Sequence, residues 1–154
     1  MNNDYNKFMS MKTDKKPRYS ADSFHIMVID DEDHVGLFIE IFLTSRGYLV
    51  TRYTNGMDAL LHFDRTPGDF DLIITDQNMP NICGSDLAKK LLAVRADIPI
   101  ILCTGFGHDE IADSTQEIGI AAYLPKPLEP GVLLQHVKQF INKAGSRFKY
   151  GVGT

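Results

Sequence analysis

The run His25-Ile26-Met27-Val28-Ile29-Asp30-Asp31-Glu32-Asp33 decides the architecture. A continuous apolar stretch of this length, without polar alternation, suits a strand buried on both faces, as strands of parallel sheets are. It stops abruptly at four acids. Beyond them Val35, Phe38, Ile39, Phe42 and Leu43 recur at i, i+3, i+4, i+7 and i+8, one stripe of an amphipathic helix. Asp33 reads as the cap of that helix and Gly47 as its stop.

The same alternation continues outward. Strands are expected at 48–53, 70–75, 98–103 and 120–124. Between them fall a short helix opened by Asn55-Gly56, a helix carrying Leu87, Leu91 and Leu92, and a polar helix over 108–118. The polar one has few apolar residues (Ile111, Ala112, Ile118) and is expected to be the least firmly packed. A last helix carries Leu133, Leu134, Val137, Phe140 and Ile141. Five rounds of strand then helix predict a doubly wound α/β domain over 25–142, a parallel sheet with right-handed crossovers and helices on both faces.

Composition narrows the class. The chain has 154 residues, 44% hydrophobic and 23% charged, which excludes a wholly disordered chain, a collagen-like fibre and a disulfide scaffold. No apolar run approaches the roughly 18 residues of a membrane span, and the first residues lack a secretory pattern, so a cytoplasmic protein is expected. Cys83 and Cys103 read as free thiols, Cys103 as core packing. Residues 25–142 hold eight Lys/Arg against seventeen Asp/Glu, an acidic body that argues against a nucleic-acid footprint. The flanks are basic: 1–24 reads as a disordered N-terminal tail and 143–154 as a basic C-terminal tail.

The polar exceptions cluster at the carboxyl ends of strands, where open parallel sheets bind ligands. Asp30 and Asp31 end the first strand, Asp76 the third and Thr104 the fourth, and Lys126 follows the fifth. If the strand order is 2-1-3-4-5, three carboxylates converge at the switch point. Like charges there repel unless a hard divalent cation, Mg²⁺ above all, and the Lys126 ammonium relieve them. A metal, a lysine and a hydroxyl around one carboxylate suit phosphoryl chemistry, and the central carboxylate could itself attack phosphorus. Rival motifs fail: Gly105-Phe106-Gly107 has Glu110 where a dinucleotide loop needs its third glycine, and neither a P-loop nor a G-x-S-x-G elbow occurs.

Ile29-Asp30-Asp31-Glu32, Thr75-Asp76-Gln77-Asn78-Met79-Pro80, Leu102-Cys103-Thr104-Gly105 and Tyr123-Leu124-Pro125-Lys126-Pro127 together resemble the response-regulator receiver domain of two-component signalling. The match covers about 25–142. The resemblance implies the flavodoxin-like order 2-1-3-4-5, the order given by a member of this family used as the standard example. It implies Asp76 as phospho-acceptor, Asp31 as direct Mg²⁺ ligand, Asp30 acting through metal-bound water, and Asn78 offering its backbone carbonyl. It implies Lys126 on a phosphoryl oxygen, Thr104 and Tyr123 as the switch pair, and a cis Lys126–Pro127 bond. The donor would be a phosphohistidine on a sensor histidine kinase or histidine phosphotransfer protein. The signal would leave by a phosphorelay or to a downstream protein partner, the latter through the face of the weak fourth helix, the fifth strand and the last helix. By the same resemblance the chain is a regulator, not an enzyme acting on other substrates.

Gln77 and Asn78 depart from the commoner pattern. A phosphatase of the haloacid dehalogenase type needs D-x-D, and Asp76-Gln77-Asn78 lacks the second acid. A degenerate receiver serving only as a protein-binding scaffold is the other alternative. The chain reads as a stand-alone regulator, which its Met start and basic tail favour slightly, or as the receiver of a hybrid sensor kinase.

Overall fold

A computed structural model describes residues 23–105 and 107–150, the side chains of 108 and 142–150 excepted. Five strands alternate with five helices: β1 (His25–Ile29), α1 (Asp33–Ser45), β2 (Leu49–Tyr53), α2 (Gly56–Arg65), β3 (Leu72–Asp76), α3 (Gly84–Val94), β4 (Ile100–Thr104), α4 (His108–Ser114), β5 (Ala122–Pro125) and α5 (Pro130–Tyr150). All strand pairs are parallel, and the order is β2-β1-β3-β4-β5. The fold class read from the alternation therefore holds, and the order implied by the resemblance with it.

Side chains alternate across the sheet and build two cores. Ile26, Val28, Leu72, Ile74, Ile101, Cys103 and Leu124 face Ile39 and Leu43 of α1 and Leu133, Val137 and Ile141 of α5. Met27, Ile29, Ile73 and Ile100 face Ala59 and Phe63 of α2 and Leu87, Ala88 and Leu91 of α3. Four residues of β1 and all five of β3 and β4 are buried. Burial of that order, at about 25 cal/mol per Å² of apolar surface, is the main force holding the centre of the sheet.

Helix ends follow local chemistry in part. Asn55 Oδ1 accepts the N–H groups of Met57 at 2.8 Å and Asp58 at 3.4 Å, an N-cap on α2. Gly47 ends α1 at φ 92°, where the Tyr48 N–H returns to the Leu43 carbonyl at 3.2 Å. The expected cap at Asp33 is corrected. The cap position is Glu32, whose side chain makes no capping bond, and Asp33 is the first helical residue. Its carboxylate goes instead to Arg52 of β2 at 2.8 Å, in a network that also pairs Arg52 with Glu40 at 2.6 Å. A full charge on a facing strand outcompetes a backbone N–H here.

Other boundaries shift. The polar helix expected over 108–118 is a seven-residue α4 followed by a 3₁₀ turn at Gln116–Ile118. Phe24, read as tail, packs against the first core and accepts the Leu49 N–H at 2.9 Å. The remainder of the N-terminal tail, residues 1–22, lies outside the described residues. Helix α5 continues through 143–150, while 151–154 lie outside the described residues. Cys83 and Cys103 are free thiols, and Cys103 is 2% exposed in the first core. No helix among the described residues is long and apolar enough to cross a membrane.

Candidate functional site

Parallel strands deliver their carboxyl ends to one edge of the sheet, and the polar residues singled out in sequence arrive there together. Asp30 follows β1, its N–H bonded to the Tyr53 carbonyl of β2 at 3.0 Å. Asp76 closes β3, in register with Cys103 of β4, and Thr104 closes β4, in register with Pro125 of β5. The Lys126 N–H donates to the Thr104 carbonyl at 2.7 Å, which carries the lysine to the same edge. The Lys126–Pro127 peptide is cis.

One carboxylate oxygen from each of Asp30, Asp31 and Asp76 lies within 4.8 Å of the others. Asp30 and Asp76 are each 3% exposed, whereas Asp31 is partly exposed, with its Oδ1 turned inward. Lys126 Nζ stands 2.9 Å from Asp76 Oδ1 and 3.4 Å from Asp30 Oδ2. Asp30 Oδ1 also accepts the Glu32 N–H at 2.9 Å. Asp76 Oδ1 and Asp31 Oδ1 are buried oxygens with no hydrogen-bond partner, so the short Lys126–Asp76 contact is a pairing of charges whose angle is not that of a hydrogen bond.

Charge and burial compete in this cluster. Burial pushes the Asp76 and Asp30 carboxyls above their ordinary range, against the pull of Lys126 and of backbone N–H groups. The Lys126 ammonium is held above its usual value. Burial acts the other way, but the two facing carboxylates together outweigh it. One ammonium against three acids leaves an excess of negative charge facing outward from the edge.

Thr104 is fully buried on the same face of the sheet as Tyr123. The Tyr123 hydroxyl sits 2.6 Å from Thr115 Oγ1, at the end of α4. Asn78 is exposed in the loop after β3.

Two residues at this edge escaped the sequence reading of the site. Gln77 turns away from the acids and is buried. Its Oε1 accepts the Ser85 N–H at 2.8 Å, and its Nε2 donates to Ser85 Oγ at 3.0 Å. It thus caps α3 from eight residues upstream, and its departure from the commoner pattern has a structural role. The second is Gly84, where a Cβ would lie 2.2 Å from the Asp76 carbonyl oxygen and 2.6 Å from Leu102 Cδ1. Only glycine lets the head of α3 approach β3 this closely. The available signal was the head of α3 itself: Cys83 occupies the cap position and supplies no side-chain cap, so the cap had to come from elsewhere.

Comparison with known proteins agrees with this geometry. A family model, the response regulator receiver domain, matches residues 26–138. The transcriptional regulatory protein FixJ of Azorhizobium caulinodans is 31% identical over 129 residues, covering 82% of this chain and 59% of that protein. The sensor kinase CckA of Brucella abortus is 30% identical over 118 residues, covering 77% of this chain and 12% of that protein. A crystal structure of a response regulator receiver domain protein from Clostridium thermocellum superposes with a TM-score of 0.72 at 28% identity, covering 82% of this chain and 98% of that one. The chain therefore spans only part of the curated relatives it matches.

Proposed function

Because the chain belongs to the response regulator receiver domain family, a family of two-component signalling modules, we propose that Asp76 is the carboxylate that accepts the phosphoryl group. The observation that carries the assignment is the convergence of Asp30, Asp31 and Asp76 with the Lys126 ammonium on the central Asp76. Attack of an Asp76 oxygen on the phosphorus of a phosphohistidine forms a mixed acyl phosphate and breaks the P–N bond, and the leaving imidazole takes up a proton. The donor is a sensor histidine kinase or a histidine phosphotransfer protein, and the phosphorylated state is read by a downstream protein partner. The reaction acts on the chain itself, which makes it a regulator and not an enzyme for other substrates.

The donor set fits Mg²⁺. Every candidate ligand is oxygen, and two buried carboxylate oxygens, Asp31 Oδ1 and Asp76 Oδ1, lack a hydrogen-bond partner. Asp31 and Asp76 would hold the ion directly, Asp30 through water, and Asn78 through its backbone carbonyl. When bound, the ion supplies neutralisation of phosphoryl and carboxylate charge. Lys126 orients a phosphoryl oxygen and balances the acids. Thr104, on the strand next to Asp76, donates its hydroxyl to the new group, and Tyr123 responds on the strand beyond. Its surroundings, α4 and β5 together with α5, form the surface that changes.

The test is phosphorylation by acetyl phosphate, read by intact mass. Wild type gains one hydroxylamine-sensitive phosphoryl group only with Mg²⁺, and Asp76→Asn gains none. Full labelling of Asp76→Asn would overturn the assignment. Asp31→Ala weakens Mg²⁺ binding more than Asp30→Ala does, because a direct ligand loses more than a water-mediated one.

A further inference from the structure

Tyr123 is the bulky member of the proposed switch pair, and its phenol is tied down. Its oxygen lies 2.6 Å from Thr115 Oγ1, and Thr115 Oγ1 lies 2.5 Å from the Ile111 carbonyl oxygen one turn back. A carbonyl can only accept, so the Thr115 hydroxyl donates to Ile111 and accepts the Tyr123 O–H. Thr115 is 7% exposed.

The anchor of this bond sits at the end of a short helix. Thr115 closes the seven-residue α4, and no side chain caps that helix at its start. Behind it an open cleft of about 430 Å³, lined by Ser85, Leu92, Thr115 and Ile118 among others, lies between the end of α4 and α3. On that side the end of α4 faces an open cleft and not a packed neighbour, so it has room to move. The same cleft borders Ser85, which is held by Gln77, the residue that follows Asp76 in the chain.

We infer that Thr115 is a positioning residue of the switch: its hydroxyl holds the Tyr123 phenol in the resting place, and this bond is broken when the phosphoryl group draws Thr104 inward. The inference rests on the proposed roles of Asp76, Thr104 and Tyr123. A hydrogen bond present in only one of two states biases their equilibrium by its net worth, about three- to tenfold for a neutral pair. Removing it favours the switched state and so tightens the binding of any group that selects that state, by the same factor.

Beryllofluoride, added with saturating Mg²⁺ to the full chain, is the probe. Thr115→Val, which keeps the shape and drops the hydroxyl, is expected to tighten its binding about three- to tenfold. Thr115→Ser, which restores the hydroxyl, returns the wild-type value. In a Tyr123→Phe background Thr115→Val has no further effect, because the bond it removes is already gone. This cycle separates the latch from the Thr115–Ile111 contact, which is lost in both backgrounds. Equal tightening in both backgrounds, or none in either, overturns the latch while leaving the acceptor assignment standing. If wild type itself fails to bind beryllofluoride, the acceptor assignment falls and the latch with it.

Discussion

The centre and the flank of the sheet are built differently. At the centre, β1 and β3 are buried along nearly their whole length and end in acids whose surroundings leave no slack. Gly84 lies against the Asp76 backbone, Gln77 locks the head of α3, and Lys126 bridges Asp30 and Asp76. At the flank, β5 has one buried residue of four, α4 is two turns long, and an open cleft lies between α4 and α3. A site that must place a metal and a phosphoryl group gains from rigidity, since small errors of geometry are costly there. A surface that must take two forms gains from low local stability. The molecule puts these two demands on either side of a single strand, β4.

Adding the same methyl group to each region gives the sharpest break between them. Gly84→Ala places a Cβ against backbone atoms that cannot rotate away. It is expected to cost more than about 3 kcal/mol by urea unfolding, at or beyond the upper end for overpacked sites. Gly105→Ala meets nothing within 4 Å and should stay within about 0.5 kcal/mol. Similar losses at both positions would erase the contrast.

Charge tests the centre next. Lys126→Ala strips the counter-charge from two buried acids and is expected to cost about 1–3 kcal/mol at pH 7, less than for a fully buried pair because Lys126 is partly exposed. Asp30→Asn should do the reverse and stabilise the metal-free protein by about 1 kcal/mol, the cost of a buried charge being removed. The sign follows from the carboxyl held above its unfolded value. The native state then binds more protons than the unfolded one, so stability is intact below the unfolded pKa and is lost as pH rises through the native one. Metal-free wild type is therefore expected to lose this contribution as pH rises above the ordinary carboxyl range, and Asp30→Asn to flatten that slope. Saturating Mg²⁺ should shrink the advantage of the variant, because a cation relieves the same repulsion.

The smallest effect belongs to the flank. Ile111→Ala on α4 is expected to cost at most about 1 kcal/mol, since Ile111 is only half-buried and its neighbourhood can relax. Hydrogen exchange should show the amides of α4 opening well before those of α3. Equal protection of the two helices would mean that the flank is no looser than the centre.

Much of this was legible before any contact was known. Unbroken apolar runs marked β1, β3 and β4, because a strand buried on both faces has no polar positions to hide. The acids and the lysine stood out because each interrupts such a run, and a strand end in a parallel sheet has one place to be. Short-range signals with a single local solution, Asn55 at a helix start and Gly47 at a helix end, also survived folding. Boundaries slipped where local signals were weak, as at α4, or where a distant charge intervened, as Arg52 does at Asp33.

Sequence alone therefore determined the class of fold, the edge of the sheet that carries the chemistry and the residue types gathered there, all of which follow from periodicity along the chain. Resemblance, not periodicity, supplied the strand order, which the pairing of β1 with both β2 and β3 then bore out. Only the tertiary structure decided that Gly84 must be glycine, that Gln77 faces inward as a cap, and that the Tyr123 hydroxyl rests on Thr115. These depend on how closely separate elements approach and which polar groups they bury against each other. Neither quantity has a period, so no pattern along the chain carries it.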